Sequence, residues 1–394
     1  LNIQGYQGKE VIMEYRVNPK NGDEISVLAF GCMRFKRDEK ETEQQIIKAI
    51  EMGVNYFDTA YIYPGSEATL GRILSKGYRE KVKIATKLPP YLVKKKEDFD
   101  KIFHTQLERL KTDYIDYYLI HMLPNLDVWQ RMISLGIEEW IEEKKAKGQI
   151  RNIGFSYHGG QEEFVKIVDA YPWEFCMLQY NYYDEYNQAS KNGLLYAAEK
   201  GLPIMVMEPL RGGKLVNLPK EALQVFDESE VKHSPAEWSF RWLWNHPQIL
   251  TVLSGMNSQE MLQANVASAS QAQADIITDR EKELYKRVKD VLNRSFLVPC
   301  TGCAYCISCP HGVDIPMCFT CYNETAVTRK ISARFNYIIR TAGHNSSKCV
   351  GCGLCEKHCP QSIAIRKELK AVTASLESFP YKPMASFMNR FMKH

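Results

Sequence analysis

Residues 54–67 read VNYFDTAYIYPGSE. A short apolar run reaches Asp58 and Tyr63 before a Pro-Gly turn, and residues of helical period follow at 66–76. A strand buried on both faces, polar groups at its C-terminal end and then a helix make one βα unit of a parallel sheet. The alternation recurs on both sides. ISVLAFG (25–31) precedes 40–52, VKIATKL (82–88) precedes 97–110, and IDYYLIH (115–121) precedes 127–147. RNIGFS (151–156) precedes 161–170, and FCMLQYN (175–181) precedes 189–200. PIMVMEPL (203–210) precedes 234–245, and ILTVLSG (249–255) precedes 258–269. Eight such units in about 250 residues match an α/β fold of the (β/α)8 barrel type. An open doubly wound sheet is the alternative, and it would carry G-x-G-x-x-G after the first strand. FGCMRF (30–35) does not supply it. Ahead of the first unit, EVIMEYRV, NPKNGDE and ISVL (10–28) read as a β-hairpin around Asn21-Gly22, placed to cap the barrel bottom.

Barrel chemistry collects at the C-terminal strand ends. Strand 2 ends on Asp58 and Tyr63, strand 3 on Lys87 in ATKLP, and strand 4 on His121 in YLIHML. Alone, each is an ordinary solvated or packing residue. On consecutive strands they form an acid–base set in which Lys87 favours the Tyr63 phenolate and Asp58 keeps Lys87 charged. His121 can donate a hydrogen bond to a carbonyl oxygen.

NYFDTAYIYPGSE, IATKL, DYYLIH, NIGFS and LQYNYYD resemble the aldo-keto reductase family over residues 10–290. The resemblance implies a TIM-type barrel that binds NADPH and reduces aldehydes or ketones. It makes Tyr63 the general acid, tuned by Lys87 and Asp58, with His121 placing the substrate. It assigns Ser156 and Gln179 to the nicotinamide carboxamide. The remaining nucleotide contacts it implies are Gly31, Cys32, Met33, Met207, Pro209, Leu210, Arg211, Gly212, Gly255, Met256 and Asn265, with Arg211 facing the pyrophosphate.

Three departures bear on the cofactor. SYH (156–158) puts Tyr157 where many members have Asn. Met207 replaces the aromatic residue that stacks on the nicotinamide. LSGMNSQEMLQAN (253–265) has Gly255 and Met261 where a Lys and an Arg would grip a 2′-phosphate. The cofactor expectation is therefore NADP or NAD.

The cysteines divide the chain. Two of the twelve, Cys32 and Cys176, precede residue 300, and ten lie between 300 and 359. C-x-x-C runs without a secretory signal favour metal over disulfides. SKCVGCGLCEKHCPQSIAI (347–365) spaces Cys349, Cys352, Cys355 and Cys359 as C-x2-C-x2-C-x3-C-P, the bacterial ferredoxin run for a [4Fe–4S] cluster. Zinc, the alternative, is typically held by two separated C-x2-C pairs. PCTGCAYCISCP (299–310) repeats the run with a shorter last gap, at Cys300, Cys303, Cys306 and Cys309. In two-cluster ferredoxins each fourth Cys serves the other run's cluster. Cys300, Cys303, Cys306 and Cys359 are thus expected around one cluster, and Cys349, Cys352, Cys355 and Cys309 around the other. Cys318 and Cys321 read as small buried residues nearby. The expected division is a barrel over 1–290 and a small, mostly helical ferredoxin-like domain over 291–394.

The formal charge of +4 on 394 residues points away from nucleic acid, and no apolar run is long enough to span a bilayer. Without a signal-peptide pattern, the expectation is a soluble cytoplasmic protein. A stripe of Met384, Phe387, Met388, Phe391 and Met392 is expected to pack on the protein itself. A nicotinamide moves two electrons as a hydride, a cluster moves one, and no flavin motif is evident. Three readings stay open. The barrel reduces a carbonyl while the clusters are structural or redox-sensing; the clusters trade electrons with a ferredoxin or another protein while the barrel holds a substrate or an unrecognised flavin; or the barrel is a non-catalytic scaffold in a larger redox complex.

Overall fold

The computed structural model describes residues 12–36, 38–306, 309–326, 330–341, 343–381 and 383–385. A two-stranded antiparallel hairpin comes first, β1 (Tyr15–Val17) and β2 (Glu24–Ser26). Then follow β3 (Leu28–Gly31), β4 (Tyr56–Asp58), β5 (Lys83–Leu88), β6 (Ile115–Leu123), β7 (Ile150–Tyr157), β8 (Phe175–Gln179), β9 (Ile204–Met207) and β10 (Ile249–Ser254). β3 to β10 pair in parallel in chain order and close where β10 meets β3. The (β/α)8 expectation is borne out.

One apolar run differs from its reading. ISVLAFG is shared between two sheets: Ile25 and Ser26 finish the hairpin, and β3 begins only at Leu28. Between them the Val27 N–H bonds the Glu14 carbonyl, while Ser26 Oγ donates to the Leu28 carbonyl at 2.8 Å. Apolarity marks burial in either sheet, so composition alone could not place the break. The hairpin meets the N-terminal strand ends. Lys83 pairs with Asp23 at 2.7 Å, the Tyr117 hydroxyl donates to Asp23 at 2.7 Å, and Asn21 donates to Asn152 at 3.0 Å. The barrel interior is filled by Ala29, Tyr56, Ala85, Tyr117, Leu119, Phe175, Met177 and Met205.

The chain divides into two compact units, and the division is not a single cut. Residues up to Leu210 group with Ala236–Ile277, and Arg211–Pro235 groups with the chain from Thr278 onward. The second unit is mostly helical, as expected. Helix Lys220–Phe226 packs on helix Asp279–Ser295 through Phe226 and Tyr285, with ring centroids 5.6 Å apart, and Arg287 grips both Glu228 carboxylate oxygens at 2.6 Å. The boundary expected after residue 290 lies inside that second helix. Helices Ile315–Glu324, Lys330–Thr341 and Ile365–Leu376 enclose a core of Val298, Ile315, Phe319, Tyr337, Ile363 and Leu369. Cys318 and Cys321 are fully buried in it. Apart from Met384, the Met–Phe stripe lies outside the described residues. Among the described residues no helix is long and apolar enough to cross a membrane.

Gly154 on β7 shows how tightly the barrel closes. A Cβ there would stand 2.5 Å from the Phe175 carbonyl oxygen and 2.7 Å from its ring. Gly154→Ala is expected to cost about 1–3 kcal/mol of stability through overpacking, read as a lower urea midpoint at unchanged slope. An unchanged midpoint would mean that β7 and β8 separate easily.

Candidate active site and cysteine cradles

Asp58 closes β4, in register with Gly31 on β3 and Ala85 on β5. Lys87 lies one residue from the end of β5, and His121 lies near the end of β6. The parallel register thus delivers three polar side chains to one rim. Lys87 Nζ donates to Asp58 Oδ1 at 2.7 Å, to Oδ2 at 2.6 Å and to the Thr59 carbonyl at 2.7 Å. The two side chains are 2% and 7% exposed, so the pair is desolvated and its hydrogen bonds are charge-assisted. Burial pushes the Asp58 carboxyl up, and Lys87 pulls it back. The Tyr63 ring centroid is 5.3 Å from Lys87 Nζ, and the ring stands edge-on to His121 with centroids 6.0 Å apart. All four expected residues come together.

A buried layer beneath them carries no signal in the strand ends. Glu67 accepts from the Thr86 hydroxyl at 2.6 Å, from Gln106 at 3.0 Å and from Arg109 at 3.1 Å. Gln106 also donates to the Lys87 carbonyl at 3.1 Å. This network holds the backbone from which Lys87 projects.

Ser156 Oγ accepts the Met122 N–H at 2.8 Å and keeps its own proton to donate. Gln179 Nε2 donates to Asp184 at 2.9 Å, while its Oε1 is buried with no partner among the described residues. Cys32 is fully buried against Asp58. Burial and then the Asp58 charge push its thiol well up, so it packs rather than reacts. Met33, Met207 and Leu210 are half-buried; Pro209 and Met256 are buried; Gly255 is exposed. Asn265 donates to Ser254 Oγ at 3.1 Å. Arg211 and Gly212 belong to the second unit, where Arg211 donates to the Pro299 carbonyl at 3.1 Å.

Tyr157 turns away from the rim. Its ring packs on Phe164, centroids 5.1 Å apart, and its hydroxyl donates to the Gly160 carbonyl at 2.5 Å. Strand alternation puts residues 156 and 158 on one side, so His158 was findable in SYH. His158 Nδ1 bonds Gln188 at 3.2 Å. Burial pushes His158 down to about 4. Burial, then Lys87 and His158, hold His121 well below the ordinary imidazole range. His121 Nδ1 is buried without a partner among the described residues. A bare lone pair there costs less than a bare N–H, which assigns the proton to Nε2.

The cysteines line two recesses. Cys300, Cys303, Cys306 and Cys359 face one, walled by Ile315, Phe319, Ile363 and Ile365. Cys309, Cys349, Cys352 and Cys355 face the other, with Cys306 on the shared side and Val350 and Leu354 at the rim. The two runs share a backbone shape. The residues flanking the second Cys are left-handed in both: Gly302 (φ +70°) and Ala304 (φ +71°) around Cys303, Gly351 (φ +78°) and Gly353 (φ +77°) around Cys352. Alanine is disfavoured there by roughly 1–2 kcal/mol, yet the first run keeps the turn. Among the described residues no three His, Cys, Asp or Glu side chains converge as a single ion would require.

The profile described as "Aldo/keto reductase family" matches residues 27–279, and one described as "4Fe-4S binding domain" matches 342–363. The uncharacterized oxidoreductase YqkF of Bacillus subtilis is 25% identical, with 63% of this chain and 88% of that protein covered. The methylglyoxal reductase YeaE of Escherichia coli is 27% identical, covering 60% and 84%. The holo form of aldo-keto reductase AKR11C1 from Bacillus halodurans superposes with a TM-score of 0.59 at 26% identity, over 70% of this chain and 96% of that one.

The two rim imidazoles set a pH dependence. They are neutral when folded, but in the unfolded chain each takes a proton near pH 6.5. The unfolded state therefore binds more protons below that pH. Stability present above 6.5 is lost as pH falls toward 4. The urea midpoint should drop through this window, and His158→Gln should flatten the drop. Equal slopes for the two proteins would mean that His158 is solvated.

Proposed function

We propose that this chain, which belongs to the aldo/keto reductase family, reduces an aldehyde or ketone with a nicotinamide nucleotide at the barrel rim and holds two [4Fe–4S] clusters in its second unit. The desolvated Lys87–Asp58 pair beside the Tyr63 ring carries the first half of this reading. The nucleotide fits the neighbouring residues. A carboxamide needs a donor for its oxygen and an acceptor for its N–H groups; Ser156 Oγ offers the first, and Gln179 Oε1, without a partner among the described residues, the second. Met207 supplies a polarizable face.

When bound, the reduced nicotinamide supplies a hydride to the carbonyl carbon. Tyr63 gives its hydroxyl proton to the carbonyl oxygen, so C=O becomes CH–OH. The Lys87 charge stabilises the phenolate left behind, and Asp58 holds that charge in place. Neutral His121 donates from Nε2 to the same oxygen and orients it. Glu260 stands in the first turn of helix Gln259–Ala269, after β10. With Gly255 and Met261 where a Lys and an Arg would grip a 2′-phosphate, NADH and NADPH bind with similar affinity.

The matched left-handed turns support two clusters, because the short-gap run keeps the shape of the ferredoxin run at a conformational cost. Cys300, Cys303, Cys306 and Cys359 hold one; Cys349, Cys352, Cys355 and Cys309 hold the other. Each supplies single-electron chemistry. The second recess favours exchange with an outside one-electron carrier such as a ferredoxin. Cys352 is exposed there, Val350 is 64% exposed, and Lys348, Lys357 and Arg366 reach solvent nearby.

Tyr63→Phe should lower kcat for methylglyoxal by roughly 10²–10⁴-fold while the fold is kept. Turnover at the wild-type rate would remove Tyr63 from the acid role. Anaerobic protein should carry about eight irons and eight sulfides per chain, and Cys359→Ser should damage the signal of the Cys300 set more than that of the Cys349 set. About four irons after full reconstitution would leave one cradle empty.

A further inference from the structure

The segment Arg211–Lys214 follows β9 by sequence, where the family resemblance expects contact with a pyrophosphate. Its side chains meet residues of the second unit. Arg211 is 1% exposed, donates to the Pro299 carbonyl at 3.1 Å and lies over the Phe296 ring, 5.0 Å from its centroid. Arg211, Gly212 and Gly213 are all left-handed, at φ +49°, +63° and +90°. The turn they make presses on the first cysteine run. A Cβ on Gly212 would stand 2.0 Å from the Thr301 carbonyl oxygen, so no side chain fits there. Two residues on, Lys214 Nζ donates to the Thr320 hydroxyl at 3.1 Å, on the helix that walls the Cys300 recess.

We propose that Arg211–Gly212–Gly213–Lys214 is a cationic latch on the Cys300 ligand loop, whose two charges raise the reduction potential of the cluster in that cradle above that of its neighbour. The inference rests on the two-cluster reading. A cluster bound by four thiolates is anionic, and an added electron makes it more so. Fixed cations beside it favour the reduced form, and burial in an apolar wall strengthens their effect. The acid nearby, Glu324, pairs with Arg340 and accepts from Asn336 at 3.2 Å, which divides its charge among Arg340, Asn336 and the lysine. The Cys349 cradle has a cation too, Arg366 in the lining of its recess, but this one is exposed to water and paired with Glu356 at 2.8 Å, so its charge is screened. Electrons entering at the exposed cluster would then run downhill to the enclosed one.

The test is a redox titration of anaerobic holoprotein followed by electron paramagnetic resonance, with the two signals assigned through Cys303→Ser and Cys352→Ser. Lys214→Gln removes the charge but keeps a hydrogen-bonding group. The Cys300 signal should become about tenfold harder to reduce, a drop of ~59 mV for one electron, with the Cys349 signal unmoved. Lys214→Arg should restore it. Thr320→Val frees the ammonium without removing it, and should give a smaller drop of the same sign. Unmoved potentials, or equal movement of both signals, would overturn the latch. So would weaker NADPH binding in Lys214→Gln at fixed potentials, because the segment would then serve the nucleotide. Iron counted in the same samples separates the two claims. Four irons per chain in the wild type would sink the two-cluster reading, whereas eight irons with unmoved potentials would sink the latch alone.

Discussion

A lysine and an aspartate, both withdrawn from water, set the terms for the rim of this barrel. Removing one partner of such a pair costs about 3–5 kcal/mol, because the other is left charged and unpaired. The fold answers with saturation: the ammonium makes three short bonds and keeps none of its donors bare. The strands carrying the two residues are neighbours in register, so the pair fixes the height of β4 against β5. Glu67 and Gln106 fasten the same stretch from below. The pair holds a concentrated charge at low dielectric beside the Tyr63 phenol ring.

The second unit solves a different problem. Thiolates in clustered runs repel one another, and their loops must curl tightly to aim them inward. Both runs use the same left-handed pair of residues around the middle cysteine. In the second run both are glycines; in the first, one is Ala304. Helix Ile315–Glu324 contributes Ile315 to the walls of both recesses, so one element keeps the two cradles in fixed relation.

Much of this was legible in the residues. The eight βα units, the four rim side chains in chain order and the ferredoxin spacing all depend on local pattern, and local pattern survives in a string of letters. What escaped depended on three-dimensional choice. ISVLAFG looks like one strand because apolar residues do not record which sheet buries them. Tyr157 drew attention because it stands where many members of the family have Asn, yet its ring packs on Phe164, and His158 beside it is the residue that acts on His121. Arg211 is a cation after a barrel strand, and its guanidinium also donates to the Pro299 carbonyl and lies over the Phe296 ring, contacts that chain position does not foretell. Chain position predicted the neighbourhood of each, and packing decided the partner.

Residues 211–235 belong to the iron–sulfur unit although they are encoded between two elements of the barrel. That arrangement has a consequence during synthesis. A ribosome releases the segment well before helix Asp279–Ser295, so Phe226 waits without the Tyr285 face that later covers it. Barrel closure also needs Ala236–Ile277, which emerges in that same interval. The nascent reductase therefore carries an exposed apolar loop until the cysteine-bearing chain arrives. Neither unit can be handed to another protein by a single crossover in the gene, because any one cut leaves one of the two incomplete.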